Sequence, residues 1–327
     1  TVERRMGRGS LFRSEAPDDR IDGTVERIVK RGIDQRLSVR FITDAARWRE
    51  FGKTAGRMTL EGETEMGRVK WRAEEVFYGS VSTPYQDHQE VDLYLARFDE
   101  VEHANVNGST ERFRQLCASF TRSAVIPAPP ASNLDGPVVP ITDPIDLLGD
   151  GSIMVKTAYS TPLHVWDFPG LVTEQQGIAV QRFDAKDGVL PPEKFEEFAE
   201  AMSTLATALS FLSAQHVHVM SVEMFGAAPG SIDVRRRLHH AVPPPRRPGT
   251  EPVVGPWDLH DYLPQVFTTF VAEGDEAAAL RHAAGQFASL ASAEYLDDQL
   301  RHGVVAMDIL AKALGSWEEC DKRTAKT

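Results

Sequence analysis

Residues 191–215, PPEKFEEFAEAMSTLATALSFLSAQ, constrain the fold more than any other stretch. Phe195, Phe198, Met202, Leu205, Leu209 and Leu212 recur at alternating steps of three and four. On an α-helix that spacing places all six on one face. Pro191 and Pro192 suit a helix start, where amides need no partner, and Glu193, Glu196 and Glu197 favour the positive end of the helix dipole. The opposite side is small: Ala199, Ala201, Ser203, Thr204, Ala206 and Ala208. The pattern predicts a central core helix, buried on more than one side and carrying no chemistry of its own.

The segments around this helix read differently. From Ile21 to about Phe98, short runs with period-two character (RLSVRFITD, GRMTLEGETE, GRVKWRA, EVFYGSV, VDLYLARF) are separated by Gly, Pro and Asp. They predict an antiparallel sheet, sandwich or partly open barrel. Asp22-Gly23 and Glu61-Gly62 read as tight turns, and Ala45–Phe51 as a short helix capped by Asp44. Residues 1–20 are charged and aperiodic, and read as a flexible arm. STERFRQLCASF reads as a short helix ahead of a Pro-rich connection. SIMVKTAY, PLHVWDF, GIAVQRFDA, HVHVMSVEMF and SIDVRRRL read as further strands. After the Pro-rich break at 241–256 the pattern is helical, with Leu296, Leu300, Gly303, Met307, Leu310 and Leu314 on one face of the last helix and Gly315 as its stop.

The expected class is α+β: a β-rich N-terminal domain followed by a C-terminal helical region. The expected divisions are an arm at 1–20, a β-rich domain with its Pro-rich connection at 21–150, an α/β segment around helix 191–215 at 151–256, and a helical bundle at 257–327. That bundle is expected to be incomplete, and a chain opening on Thr1 to have been processed or trimmed.

With 327 residues, 42% hydrophobic and 26% charged, the chain is of globular composition. It has no run of ~18 apolar residues, so no membrane span is expected. Two cysteines far apart, Cys117 and Cys320, fit a reducing cytoplasm. A net charge of −12 argues against coating nucleic acid by bulk electrostatics, though a local basic patch remains compatible. There is no Walker loop, no dinucleotide-binding glycine motif after a strand and no nucleophile elbow. No cofactor is expected.

Four local features carry candidate chemistry. His216 and His218 would share one face of a strand and could hold a metal, given a third ligand from Glu223, His239 or His240; a hydrogen-bonded pair is the bland alternative. Arg235, Arg236 and Arg237, with Arg246 and Arg247, form the most basic segment and could grip phosphates, or could guard a strand edge. WDLHDYL reads more readily as a helix start with Asp258 as cap than as a site. Asp308, in VVAMDILAKAL, pairs with a neighbouring cation or faces water.

The order of residues about 175–315 resembles ApeA-type proteins of the HEPN superfamily, which serve in bacterial abortive-infection defence. The resemblance lies in ATALSFLSAQHVHVMSVE, a helix running into a strand before a polar, Pro-rich linker, and in A-x-x-x-D-I-L, where Asp308 matches that family's helical acid. It implies metal-independent action on RNA by an R-x₄₋₆-H pair, in which Arg holds phosphate and His moves a proton, and it implies self-association. Arg235 and His240 fit the spacing on an expected strand, as do Arg97 and His103. The resemblance therefore implies either an RNA-cleaving protein or a catalytically silent relative. From a different class, the chain reads as a non-enzymatic binding and assembly protein that oligomerises through its C-terminal helices.

Overall fold

The structure is a computed structural model. It describes residues 2–30, 37–52, 57–64, 67, 69–82, 87–102, 113–121, 144–159, 175–182, 192–228, 231–241, 252–255, 258–293 and 295–313. In chain order the strands are β1 (Val2–Arg13), β2 (Ala16–Lys30), β3 (Ser38–Asp44), β4 (Met58–Thr64), β5 (Val69–Val81), β6 (His88–Glu102), β7 (Phe113–Phe120), β8 (Ile145–Asp146), β9 (Ile153–Tyr159), β10 (Gln175–Arg182), β11 (Val219–Ala228) and β12 (Ser231–His240). The helices are α1 (Ala45–Phe51), α2 (Pro192–Ser213), α3 (Leu259–Val271), α4 (Asp275–Ser292) and α5 (Leu296–Ala313). The fold is α+β, with an N-terminal β-barrel region and C-terminal helices.

Two compact units divide the chain, and they do not follow the expected consecutive segments. The first combines Thr1–Leu116, Asp184–Leu190 and Met220–Pro244; the second combines Cys117–Phe183, Pro191–Val219 and Pro245–Thr327.

In the first unit β1 to β6 form a closed antiparallel barrel. The neighbour order β3-β2-β1-β4-β5-β6 returns on itself because β6 also pairs with β3. Closure removes exposed strand edges. Strand β6 is long enough to serve twice: residues 88–94 pair with β3, and residues 97–101 pair with β12 of the β11–β12 hairpin. The interior is filled by alternate residues such as Leu11, Val25, Val39, Phe41, Leu60, Leu93 and Phe98. Helix α1 adds Trp48 and Phe51 to that core, and Asp44 caps it as expected, its Oδ1 accepting from the amides of Ala46 (3.0 Å) and Arg47 (2.9 Å).

Three sequence expectations change here. Residues 2–13 are a barrel strand rather than an arm, paired with β2 on one side and β4 on the other. Its inward positions are Gly7, Gly9 and Leu11, so two of three core positions carry no hydropathy signal. Gly23 and Gly62 lie within strands rather than at turns. The reason at Gly62 is close approach: a Cβ there would come within 2.4 Å of the Arg8 carbonyl oxygen and of Trp71 Nε1. The indole of Trp71 occupies the space a side chain would need.

In the second unit α2 matches its sequence pattern. All six residues of the apolar face, Phe195 to Leu212, are buried, each contributing about 1.5–3 kcal/mol by transfer from water. On the small side Ala206 and Ala208 are also buried, while Ser203 is exposed. Phe211 of α2 meets Phe270 of α3 and Phe287 of α4, with ring centroids 6.4 and 5.5 Å apart. Helix α4 buries mostly alanine, which lets its neighbours approach closely. Strands β8, β9 and β10 form an antiparallel set. Segment 113–120 is a strand, not the expected helix. Phe113, Leu116 and Phe120 fit a helical period, but Leu116, Ala118 and Phe120 alternate and are buried, and the period of two prevails. Asp258 stands at the N-cap of α3 but makes no side-chain cap hydrogen bond. Gly315 and PLHVWDF lie outside the described residues. Among the described residues no helix is long and apolar enough to cross a membrane.

Candidate functional site

Strand register assembles a row of polar side chains in the first unit. Trp71 of β5 lies opposite Glu100 of β6, Glu100 opposite Arg237 of β12, and Arg237 opposite Glu223 of β11. Directly opposed residues share a face and stand about 5 Å apart. Arg27 of β2 joins the row from the interior: its guanidinium pairs with Glu100 and lies 4.5 Å above the centre of the Phe98 ring. His239, one position along β12's inner face, brings Nε2 to 3.6 Å from the other oxygen of Glu100. Arg237 Nε contacts Glu223 at 2.6 Å. Two arginines and two carboxylates thus balance in charge within a largely buried cluster.

Burial raises the pKa of Glu100, but the contacts from His239 and Arg27 outweigh it and set the carboxyl at about 2. Burial lowers His239, and the positive charges of Arg27 and Arg237 lower it further against the pull of Glu100. The cluster therefore holds an ionised carboxylate and a neutral imidazole at pH 7. Trp71 Nε1 is buried with no hydrogen-bond partner. It lines a cavity of about 10 Å³ with Val25, Arg27, Phe98 and Glu100. That is room for about one water molecule.

The sequence candidates distribute around this cluster. Arg236 binds Asp99 through two bonds, Nε–Oδ1 at 3.2 Å and Nη2–Oδ2 at 2.7 Å, and Arg237 is held by Glu223. Both are thus tied to carboxylates, and β12 is paired with β6 on one side and β11 on the other, so the segment is not a strand edge. Arg235 lies on β12 where the pairing with β11 shifts, between Met224 and Phe225. Arg246 and Arg247 lie outside the described residues, as does His103. His240 is half-buried and stands opposite Arg97 of β6, which in turn stands opposite Glu74 of β5. Burial, then the charges of Arg97 and His239, hold His240 below the usual histidine range.

In the second unit His216 and His218 precede β11 rather than belonging to it. Their rings stack with centroids 5.7 Å apart, and His216 Nε2 is 3.2 Å from Ser289 Oγ. Of the proposed third ligands, Glu223 is bound to Arg237 and His239 faces Glu100. Among the described residues no three His, Cys, Asp or Glu side chains gather into a metal-binding group. Asp308 pairs with Lys312 one turn along α5, at 2.7 Å.

Sequence reasoning missed Arg27, Trp71 and Glu100. Each is an ordinary polar or aromatic residue in a strand, and only barrel closure brings them together. It also missed the exposure of α5, none of whose residues is buried. Of the face expected there, Leu296, Leu300 and Met307 are exposed, while Gly303 lies against Leu290 of α4 and Leu310 is partly buried. No family profile, curated protein or solved structure matches this chain.

Proposed function

We propose that this chain is a non-enzymatic binding and assembly protein that docks another protein surface through its C-terminal helices. One observation carries the reading: Leu296, Leu300, Val304 and Met307 of α5 are each at least 60% exposed. Soluble surfaces rarely carry a contiguous apolar stripe without a partner for it. The resemblance to ApeA-type proteins supports a setting in bacterial anti-phage defence, and two cysteines in 327 residues support a reducing cytoplasm. In this reading the barrel recognises a partner and the helices assemble. The test is sedimentation of the purified chain beside Leu300→Glu. A loss of assembly in the variant supports the reading; identical behaviour, with the wild-type chain monomeric and its α5 stripe shielded from solvent probes, removes it.

A second reading, metal-independent action on RNA, is favoured by one feature. The β6–β12 register sets the Arg97 side chain beside His240, a cation next to a neutral imidazole. That pair has the components to hold a phosphate and accept a proton. Cleavage of single-stranded RNA in EDTA, abolished by both Arg97→Ala and His240→Ala, supports it. No cleavage by the wild-type chain, or cleavage that survives both changes, ends it.

A further inference from the structure

The apolar stripe of α5 is narrow, continuous and bordered by charge. Tyr295 and Leu296 are 68% exposed, Val304 and Met307 67%, and Leu300 60%; no other large apolar residue among the described residues exceeds 57%. Leu296, Leu300, Val304, Met307 and Ala311 follow steps of four, four, three and four, so they fall on one side of the helix. The stripe spans about 22 Å at the helical rise.

The other side of α5 is occupied. A Cβ at Gly303 would come within 2.9 Å of Leu290 of α4, and His302 Nδ1 lies 2.8 Å from Gln286 Oε1. Gln299 Nε2 donates to the Ala293 carbonyl at 3.0 Å. The stripe is therefore not the face that holds α5 in its own unit.

Charge along the stripe has a direction. Asp297 and Asp298 lie at its N-terminal end and Lys312 at its C-terminal end, with Arg301 and Asp308 placed symmetrically between them. An antiparallel copy of the same helix, with the two-fold near Val304, sets Asp297 of one chain near Lys312 of the other and Arg301 near Asp308. All four charges lie on one flank of the stripe, so a parallel copy would place them on opposite sides of the seam, where none of these pairs can form. Within one chain the bonds Arg301–Asp298 (3.1 Å) and Lys312–Asp308 (2.7 Å) are solvent-exposed, so they exchange partners at little cost.

We propose that α5 pairs antiparallel with α5 of a second copy of this chain, Leu296, Leu300, Val304 and Met307 forming the seam and Asp297, Arg301, Asp308 and Lys312 fixing its direction. A two-fold interface of this kind is self-complementary by construction. This deepens the docking reading above and rests on it, with the partner named. A single-helix seam lies at the small end of stable interfaces, so dissociation on the order of micromolar is expected.

The experiment uses the full chain in a Cys117→Ser, Cys320→Ser background. Sedimentation equilibrium is expected to report a dimer that Val304→Glu weakens at least ~10-fold with unchanged circular dichroism. Arg301→Glu with Lys312→Glu makes the four direction-setting charges all acidic; Asp297→Lys with Asp308→Lys makes those four all basic. Each alone is expected to be monomeric, and the mixture to form a one-to-one pair. Direction is read by disulfide formation: Val304→Cys links to itself, and Leu296→Cys links to Ala311→Cys but not to itself. Self-linkage of Leu296→Cys overturns the antiparallel arrangement. A monomeric wild-type chain overturns the second copy as occupant, and labelling of Val304→Cys by a maleimide then separates the two failures. Rapid labelling leaves an open docking stripe for another protein; no labelling shows the stripe covered by the chain's own remaining residues and ends the docking reading too.

Discussion

The barrel unit places Arg27 and Glu100 inside, while the helical unit leaves Leu296, Leu300, Val304 and Met307 in solvent. Each runs against the ordinary sorting of side chains, but the physical cost differs. Inside the barrel, each ion has lost water and depends on its partner. On α5, each apolar group keeps most of the hydration it had when unfolded, so the cost of exposure appears mainly against a bound state. The first arrangement therefore responds to any change in one member. The second is silent to folding and sensitive to association.

Removing one member of the buried pair has the largest expected effect. Arg27→Met strands the Glu100 carboxylate and lowers unfolding free energy by about 3–5 kcal/mol in urea titrations. Arg27→Met with Glu100→Leu restores most of that loss; a double variant as unstable as the single would show that packing, not pairing, is what the site contributes. Leu205→Ala in α2, a buried position outside either comparison group, supplies the apolar benchmark at about 2–5 kcal/mol.

Acid should act on the barrel next. The Glu100 carboxyl sits at about 2 against an ordinary 4.5. Its contribution is complete above pH 4.5 and is lost as pH falls toward 2, a loss on the order of a few kcal/mol. His239, held below its ordinary 6.5, acts with the same sign in a higher window: its contribution is complete above 6.5 and declines below it, because the unfolded chain takes the proton first. Denaturation measured from pH 8 to 3 checks both. Glu100→Gln should flatten the lower window and, by removing the pull of Glu100 on His239, deepen the upper one; a curve unchanged below 4.5 would contradict the assignment.

Two smaller effects sharpen the contrast. Trp71→Phe removes a buried donor that has no partner, so thermal stability should stay level or rise by about 1 kcal/mol. A marked loss would mean that the buried ring volume, or a water bound to the indole nitrogen, outweighs the unpartnered donor. Val304→Ser should leave monomer stability within about 0.5 kcal/mol while changing how the melting temperature depends on protein concentration.

Much of the helical unit was legible in the sequence. Six apolar residues at helical spacing identified α2 with its buried face, and Asp44 marked the start of α1 in the barrel. These succeed because helix period and capping are local, set within four residues. The barrel was legible as strands but not as a closed object. Gly7 and Gly9 hid β1 because a core position filled by glycine has no hydropathy. The candidate site was hardly legible. Arg236 and Arg237 stood out as a basic run, yet Asp99 and Glu223 hold them. Arg27, Glu100 and His239 come from strands far apart in sequence, and no local pattern links them.

What the sequence determined by itself was therefore the period of most strands and helices, the buried face of α2 and the Asp44 cap, all properties of spacing along the chain. The tertiary structure alone decided that β3 meets β6, that Arg27 finds Glu100, that Arg97 stands beside His240, and that the last helix turns an apolar stripe to solvent. The physical reason is range. A period is written in neighbouring residues, whereas a register or an uncovered face exists only once distant segments have been placed.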